Sequence, residues 1–188
     1  MIIQSAFTVA APPDDVYQLM LDVEQVAPCI PGAQVTGRRE DGSYDAVVKV
    51  KLGPVSMTYR GTVAVEEHDD AERTARLRAK ANEARGQGTA QAAMTMSVAS
   101  ADDGTSQVAV STDLLVSGRV AQMGQGIMQD VATRMIGEMA RNMEAMLTTG
   151  TAPQASDSVK AGSVVGGVAA DRVKRLFGRG GDEGGAAS

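Results

Sequence analysis

Apolar and polar positions alternate along most of this chain. Ile2 to Ala10 alternates and predicts a strand. Pro12-Pro13-Asp14-Asp15 then opens a helix, because proline is tolerated and acids are favoured in the first turn, and Val16, Leu19 and Met20 share one face. Val23 to Cys29 predicts a second short helix, stopped by Pro28 and Pro31-Gly32. The period then changes to two. Tyr44, Ala46, Val48, Val50 and Leu52 alternate with polar residues up to Gly53-Pro54, and Met57, Tyr59, Gly61, Val63 and Val65 do so up to His68-Asp69-Asp70. Ala75, Leu77, Ala79 and Ala81 follow, then Ala90, Ala92, Met94, Met96 and Val98, then Gln107 to Val116. Short turns between alternating runs predict an antiparallel meander with one wet and one buried face. The predicted order is strand, two short helices, about six strands, one long helix.

Six of the chain's eleven methionines fall between Met123 and Met146, in and just before that last helix. At about 100° per residue, Met128, Met135, Met139 and Met146 fall within roughly 40° of one another, with Val131, Ala132 and Met143 beside them. Asp130, Arg134, Gly137, Arg141 and Glu144 take the opposite face. A sheet with one buried face needs a cover, and this helix is the apolar surface large enough to supply it. The fold class is therefore α+β, a curved antiparallel sheet of about six to seven strands gripping a long C-terminal helix. Gly61, Gly86 and Gly88 are expected to sit within strands and to help the sheet bend.

The expected inward positions include Ala46, Gly61, Ala75, Ala79, Ala81, Ala90 and Ala92, few of them bulky. Interiors are normally filled to crystal-like density, so small residues facing an adaptable methionine helix predict either an apolar cavity or a sheet drawn close to the helix. A cavity would take an apolar or amphipathic small molecule. The expected lining is Met57, Tyr59, Gly61, Ala79, Ala81, Ala90, Ala92 and Met94 from the sheet. Met123, Ile127, Met128, Val131, Met135 and Met139 complete it from the helix side. Met143 and Met146 are expected to close the far end as core.

Composition narrows the classes. Of 188 residues, 43% are hydrophobic, as in soluble globular proteins, but only five are aromatic, so the core must be aliphatic. No apolar run approaches the ~20 residues that span a bilayer, and the N-terminus lacks the features of a secretory signal, so a cytoplasmic location is expected. The net charge of −5 argues against nucleic acid as a partner. Residues 1–150 hold 13 basic and 19 acidic side chains, whereas 151–188 hold 5 and 4, which sets the tail apart.

Thr149 to Gly162 is rich in small and polar residues and predicts a linker, 149–163. Within 164–179, Val165, Val168, Leu176 and Phe177 fall near one side, and Arg172, Lys174 and Arg175 around the remainder. This suits an interfacial helix on an anionic membrane, although Gly166-Gly167 weakens it and a disordered segment is the other reading. Residues 180–188 are expected to be disordered.

Catalytic chemistry is sparse. His68, at a turn beside Asp69 and Asp70, reads as solvated; Cys29, between prolines, reads as a small buried hydrophobe with no second histidine to activate it. Gly86-Gln87-Gly88 precedes a strand and lacks the lysine of a phosphate loop. No catalytic residue, no metal site and no enzyme activity are expected.

Several segments carry a family likeness: Phe7-Thr8-Val9-Ala10-Ala11-Pro12, Val26-Ala27-Pro28-Cys29-Ile30-Pro31-Gly32-Ala33, Asp41-Gly42-Ser43-Tyr44, Lys51-Leu52-Gly53-Pro54 and Gly118-Arg119-Val120-Ala121-Gln122-Met123-Gly124. Residues 1–148 resemble the carbon monoxide dehydrogenase G-subunit family, of the START-like (SRPBCC) helix-grip superfamily. The resemblance implies a curved sheet, a long helix and a ligand cavity between them. It also implies an accessory role for a molybdenum carbon monoxide dehydrogenase, linking that enzyme to the membrane and its quinone pool. With it, the expected ligand is a quinone, menaquinone or ubiquinone, the basic tail is the membrane contact, and the location is the inner face of the cell membrane. The alternatives are a recruitment adaptor without ligand transfer and an enzyme of the polyketide-cyclase type.

Overall fold

The computed structural model describes residues 1–52 and 55–151. The Gly53-Pro54 turn, most of the linker, the 164–179 segment and the 180–188 tail lie outside the described residues. The element order is β1 (Ile2–Val9), α1 (Pro13–Leu21), α2 (Val23–Val26) with a 3-10 turn at Ala27–Cys29, β2 (Ala33–Arg38), β3 (Tyr44–Leu52), β4 (Val55–Asp69), β5 (Thr74–Glu83), β6 (Thr89–Ser100), β7 (Ser106–Val116), a 3-10 turn at Val120–Met123 and α3 (Gln125–Thr149). Among the described residues, seven strands form one antiparallel sheet ordered β1-β7-β6-β5-β4-β3-β2. The α+β helix-grip architecture expected from the pattern is the one observed.

Two local details differ from the sequence reading. Gly86 and Gly88 lie outside the strands, in the turn joining β5 to β6. There Gly88 presses on the Ser117 carbonyl and Gly118 on the Gln87 carbonyl, so a Cβ on either would collide with backbone. The same contact is stitched by Arg119 N–H donating to the Gln87 carbonyl at 3.2 Å and Ser117 N–H to that of Thr89 at 2.9 Å. Gly61 alone of the three lies within a strand, where a Cβ would strike the Lys80 carbonyl and Ala81 Cα of β5. The predicted second helix is split, because Pro28 cannot donate the bond that would continue α2, and the chain tightens into the 3-10 turn.

One end of the concave face is densely packed. α1, with Pro13 in its first turn and Asp14 and Asp15 beside it, lays Val16, Tyr17, Leu19 and Met20 over Met96 and Val98 of β6 and Val108 of β7. Met139 and Met143 of α3 complete this core with Cys29 and Val9. Its polar groups are matched: Ser106 Oγ donates to the Ala11 carbonyl at 2.6 Å, Asn142 Nδ2 to the Cys29 carbonyl at 2.9 Å, and the Tyr17 hydroxyl to Asp70 at 3.1 Å and the Thr74 carbonyl at 3.2 Å.

Burial pushes the Cys29 thiol up from 9.0 to about 11, and burial followed by the Asp70 hydrogen bond pushes the Tyr17 phenol up from 10.0 to about 12. Both groups keep their protons in the fold after the unfolded chain has lost them, so their contribution is full below pH 9 and falls as pH rises from about 9 to 12. Urea denaturation between pH 8 and 11 is expected to show stability falling above pH 9. The fall should be shallower in Cys29→Ala and Tyr17→Phe; an equal slope in both variants would refute this origin.

Candidate functional site

Register turns the alternating strands into rows of side chains crossing the concave face. One row runs Ala46, Gly61, Ala81, Ala90 and Val116 from β3 to β7. The next runs Tyr44, Val63, Ala79, Ala92 and Leu114. Two adjacent rows built mostly of alanine, glycine and valine leave little side-chain volume at mid-sheet. The principal contacts of α3 are with β1, the Ala27–Cys29 turn and α1, toward one side of the sheet.

The interior consequently divides into two packed clusters. The larger is the core beneath α1, which includes Met139 and Met143. The smaller, at the other end, joins Met57, Tyr59 and Val120, with Ala81, Ala90, Met123, Met128 and Val131 packed on it. Gly61, Ala79, Ala92, Met94 and Met135 belong to neither and stay half-buried although the strand and helix faces turn them inward. Along α3 the side chains thus pass from Met128 and Val131 in the small cluster, through Met135 in neither, to Met139 and Met143 in the core. Of the residues expected to line a cavity, Met139 sits in the packed core, and Ile127 is 46% exposed on the first turn of α3.

Glu83 was not singled out by the sequence. It lies in register with Tyr59, is buried, and its carboxylate accepts N–H bonds from Arg85 at 2.7 Å and Gln87 at 3.2 Å. Burial alone would raise its pKa; the backbone donors of Arg85, Gln87 and Thr58 and the Arg85 charge outweigh that and hold it below the usual carboxylate range. Its signal was parity, since 83 continues the inward series 75, 77, 79, 81. Tyr59 is pushed up by burial and then by the Glu83 charge. His68 is half-exposed, with Nδ1 3.1 Å from Asp70. No group of three or more potential metal ligands occurs among the described residues.

Other concavities lie elsewhere. A groove of about 860 Å³ separates α1 and α2 from the end of α3, bordered by Asp15, Asp22, Leu21, Tyr44, Met146 and Leu147. A depression of about 390 Å³ is bordered by Thr62, Lys80, Asn82 and Gln91 together with Gly61, Ala81 and Ala90.

The sequence profile of the family described as the carbon monoxide dehydrogenase G subunit (CoxG) matches residues 6–148. No curated protein matches the sequence. Among solved structures, a conserved protein from Geobacillus kaustophilus is similar at 18% identity and TM-score 0.70, over 80% of this chain and 97% of that one. A START superfamily protein from Mycobacterium smegmatis is similar at 16% identity and TM-score 0.52, over 80% and 99%. The Zhui aromatase/cyclase from Streptomyces sp. R1128 is similar at 15% identity and TM-score 0.54, over 80% and 97%. At these identities the likeness establishes the START-like fold alone.

The division of the interior makes a stability prediction. Met143→Ala, in the packed core, is expected to cost about 2–5 kcal/mol, and Met135→Ala less than about 1 kcal/mol, in urea denaturation of the two variants. Comparable losses would show that mid-sheet is filled like the core.

Proposed function

The chain belongs to the CoxG family of carbon monoxide dehydrogenase accessory proteins, and on that premise we propose that it is a non-enzymatic accessory protein that carries a lipophilic quinone between its sheet and α3. It thereby couples a soluble molybdenum carbon monoxide dehydrogenase to the membrane quinone pool. The observation that carries this reading is the small-residue stretch Gly61, Val63, Ala79 and Ala92 at mid-sheet, half-buried and outside both packed clusters, as is the adaptable side chain of Met135. A flat, largely apolar ring with an isoprenoid chain, such as menaquinone or ubiquinone, suits such walls.

No described helix is long and apolar enough to cross a membrane. In this reading the membrane contact is made by the basic 164–179 segment, whose Arg172, Lys174 and Arg175 attract anionic headgroups while Val165, Val168, Leu176 and Phe177 supply apolar surface. The protein then works peripherally at the inner face of the membrane. The START-like neighbours include an aromatase/cyclase, but this chain's buried thiol and half-exposed histidine offer no matched nucleophile and base.

Native mass spectrometry and organic extraction of the purified full chain are expected to recover a quinone. Ala92 stands between Ala79 and Leu114 in register, so Ala92→Phe places a ring at the middle of the space. That variant is expected to keep its fold and its association with the dehydrogenase but to lose quinone and electron transfer to membranes. Undiminished electron transfer in a folded Ala92→Phe variant would favour a recruitment adaptor instead.

A further inference from the structure

The chain contains two buried tyrosines whose hydroxyls are treated differently. Tyr17, 1% exposed, donates to the Asp70 carboxylate and the Thr74 carbonyl at 3.1 and 3.2 Å. Tyr59, 9% exposed, has as its hydrogen-bond partner among the described residues only the Met57 sulfur, 4.0 Å away. A thioether is a weak acceptor, and buried phenols ordinarily meet an oxygen. The Tyr59 hydroxyl is therefore a donor without a strong acceptor, inside a wall whose other members, Met57, Val120, Ala81 and Met128, are apolar.

Its surroundings keep it a donor. The carboxylate nearest in register, Glu83, is engaged by the turn that follows it. Burial and the Glu83 charge both hold the phenol protonated. On the sheet, Gly61 follows two residues later on the same face, and the small-residue rows begin there. A molecule lying along Ala81 and Ala90, the row that meets β4 at Gly61, would thus bring one end beside Tyr59.

We infer that Tyr59 is the polar anchor of the ligand site, its hydroxyl donating a hydrogen bond to a carbonyl oxygen at the head of the bound lipophilic molecule. The inference rests on the ligand-carrier reading above. It adds that the site selects for a carbonyl rather than for apolar bulk, and that the head lies at the Met57–Val120 end, with the apolar remainder toward Met135. In apolar sites a few placed polar groups fix orientation in this way.

The test uses the purified full chain and two probes of the same shape: 2-methyl-1,4-naphthoquinone with a short prenyl chain, and the corresponding naphthalene lacking both oxygens. Calorimetric titration is expected to show the quinone bound more tightly than the naphthalene by wild type. Tyr59→Phe should weaken the quinone about three- to tenfold and leave the naphthalene unchanged. The infrared carbonyl band of the bound quinone should be shifted to lower wavenumber in wild type and relaxed in Tyr59→Phe. Equal weakening of both probes would make Tyr59 a packing residue and overturn the assignment. So would an unshifted carbonyl band on wild type, a measurement that does not depend on the variant folding. Wild-type protein that takes up both probes equally overturns the assignment alone; wild-type protein that takes up neither overturns the carrier reading with it.

Discussion

A single helix has to cover a sheet much wider than itself. Seven strands spaced about 4.8 Å apart span about 29 Å, whereas a helix with its side chains is about 10–12 Å across. Such a sheet must curl around the helix, and the fold commits the helix to one side, where α3 meets β1, the Ala27–Cys29 turn and α1. The Asn142 bond to the Cys29 carbonyl and the fully buried Met143 fix that choice. On the other side of the concavity the strands meet the Val120–Met123 turn and the first turns of α3, where Val120, Met123, Met128 and Val131 pack with Met57 and Tyr59.

Between the two clusters the strands project little, because the rows crossing mid-sheet are built from alanine, glycine and valine. Small residues on a curved sheet preserve space that leucine or phenylalanine would have closed. The methionines of α3 then divide the labour by position rather than by chemistry. Met143 is fully buried in the core, while Met135 is half-buried and belongs to neither packed cluster. The same side-chain type serves as core at one level of the helix and as an adaptable wall two turns earlier.

Much of this was legible beforehand. The long alternating runs of β3 to β7 and the amphipathic α3 are periodic enough that tertiary packing had only to select which face turned inward. β2 was not legible as a strand: it is six residues long, and its pairing shifts between Val35 and Gly37, which breaks the alternation. Gly86 and Gly88 suggested strand bends because sequence does not reveal that their turn is pressed against Ser117 and Gly118, some thirty residues later. The small inward residues could be recognised one by one. That they line up in adjacent rows is a property of register, fixed by long-range pairing. The contrast between Tyr17 and Tyr59 likewise depends on partners distant in sequence, Asp70 and Thr74 in one case and, among the described residues, none but a neighbouring sulfur in the other.

The pairing of β1 with β7 has a consequence for how the molecule comes into being. β2 to β7 are successive hairpins whose contacts are local, but β1 finds its partner only after residue 106, and the Ala27–Cys29 turn finds Asn142 later still. Loop closure over such separations is slow compared with hairpin formation, so the meander forms ahead of the elements that cover it. During that interval the concave face is an uncovered apolar surface on a chain still being assembled. Its alanines and glycines make that transient surface less adhesive than one lined with leucine or phenylalanine.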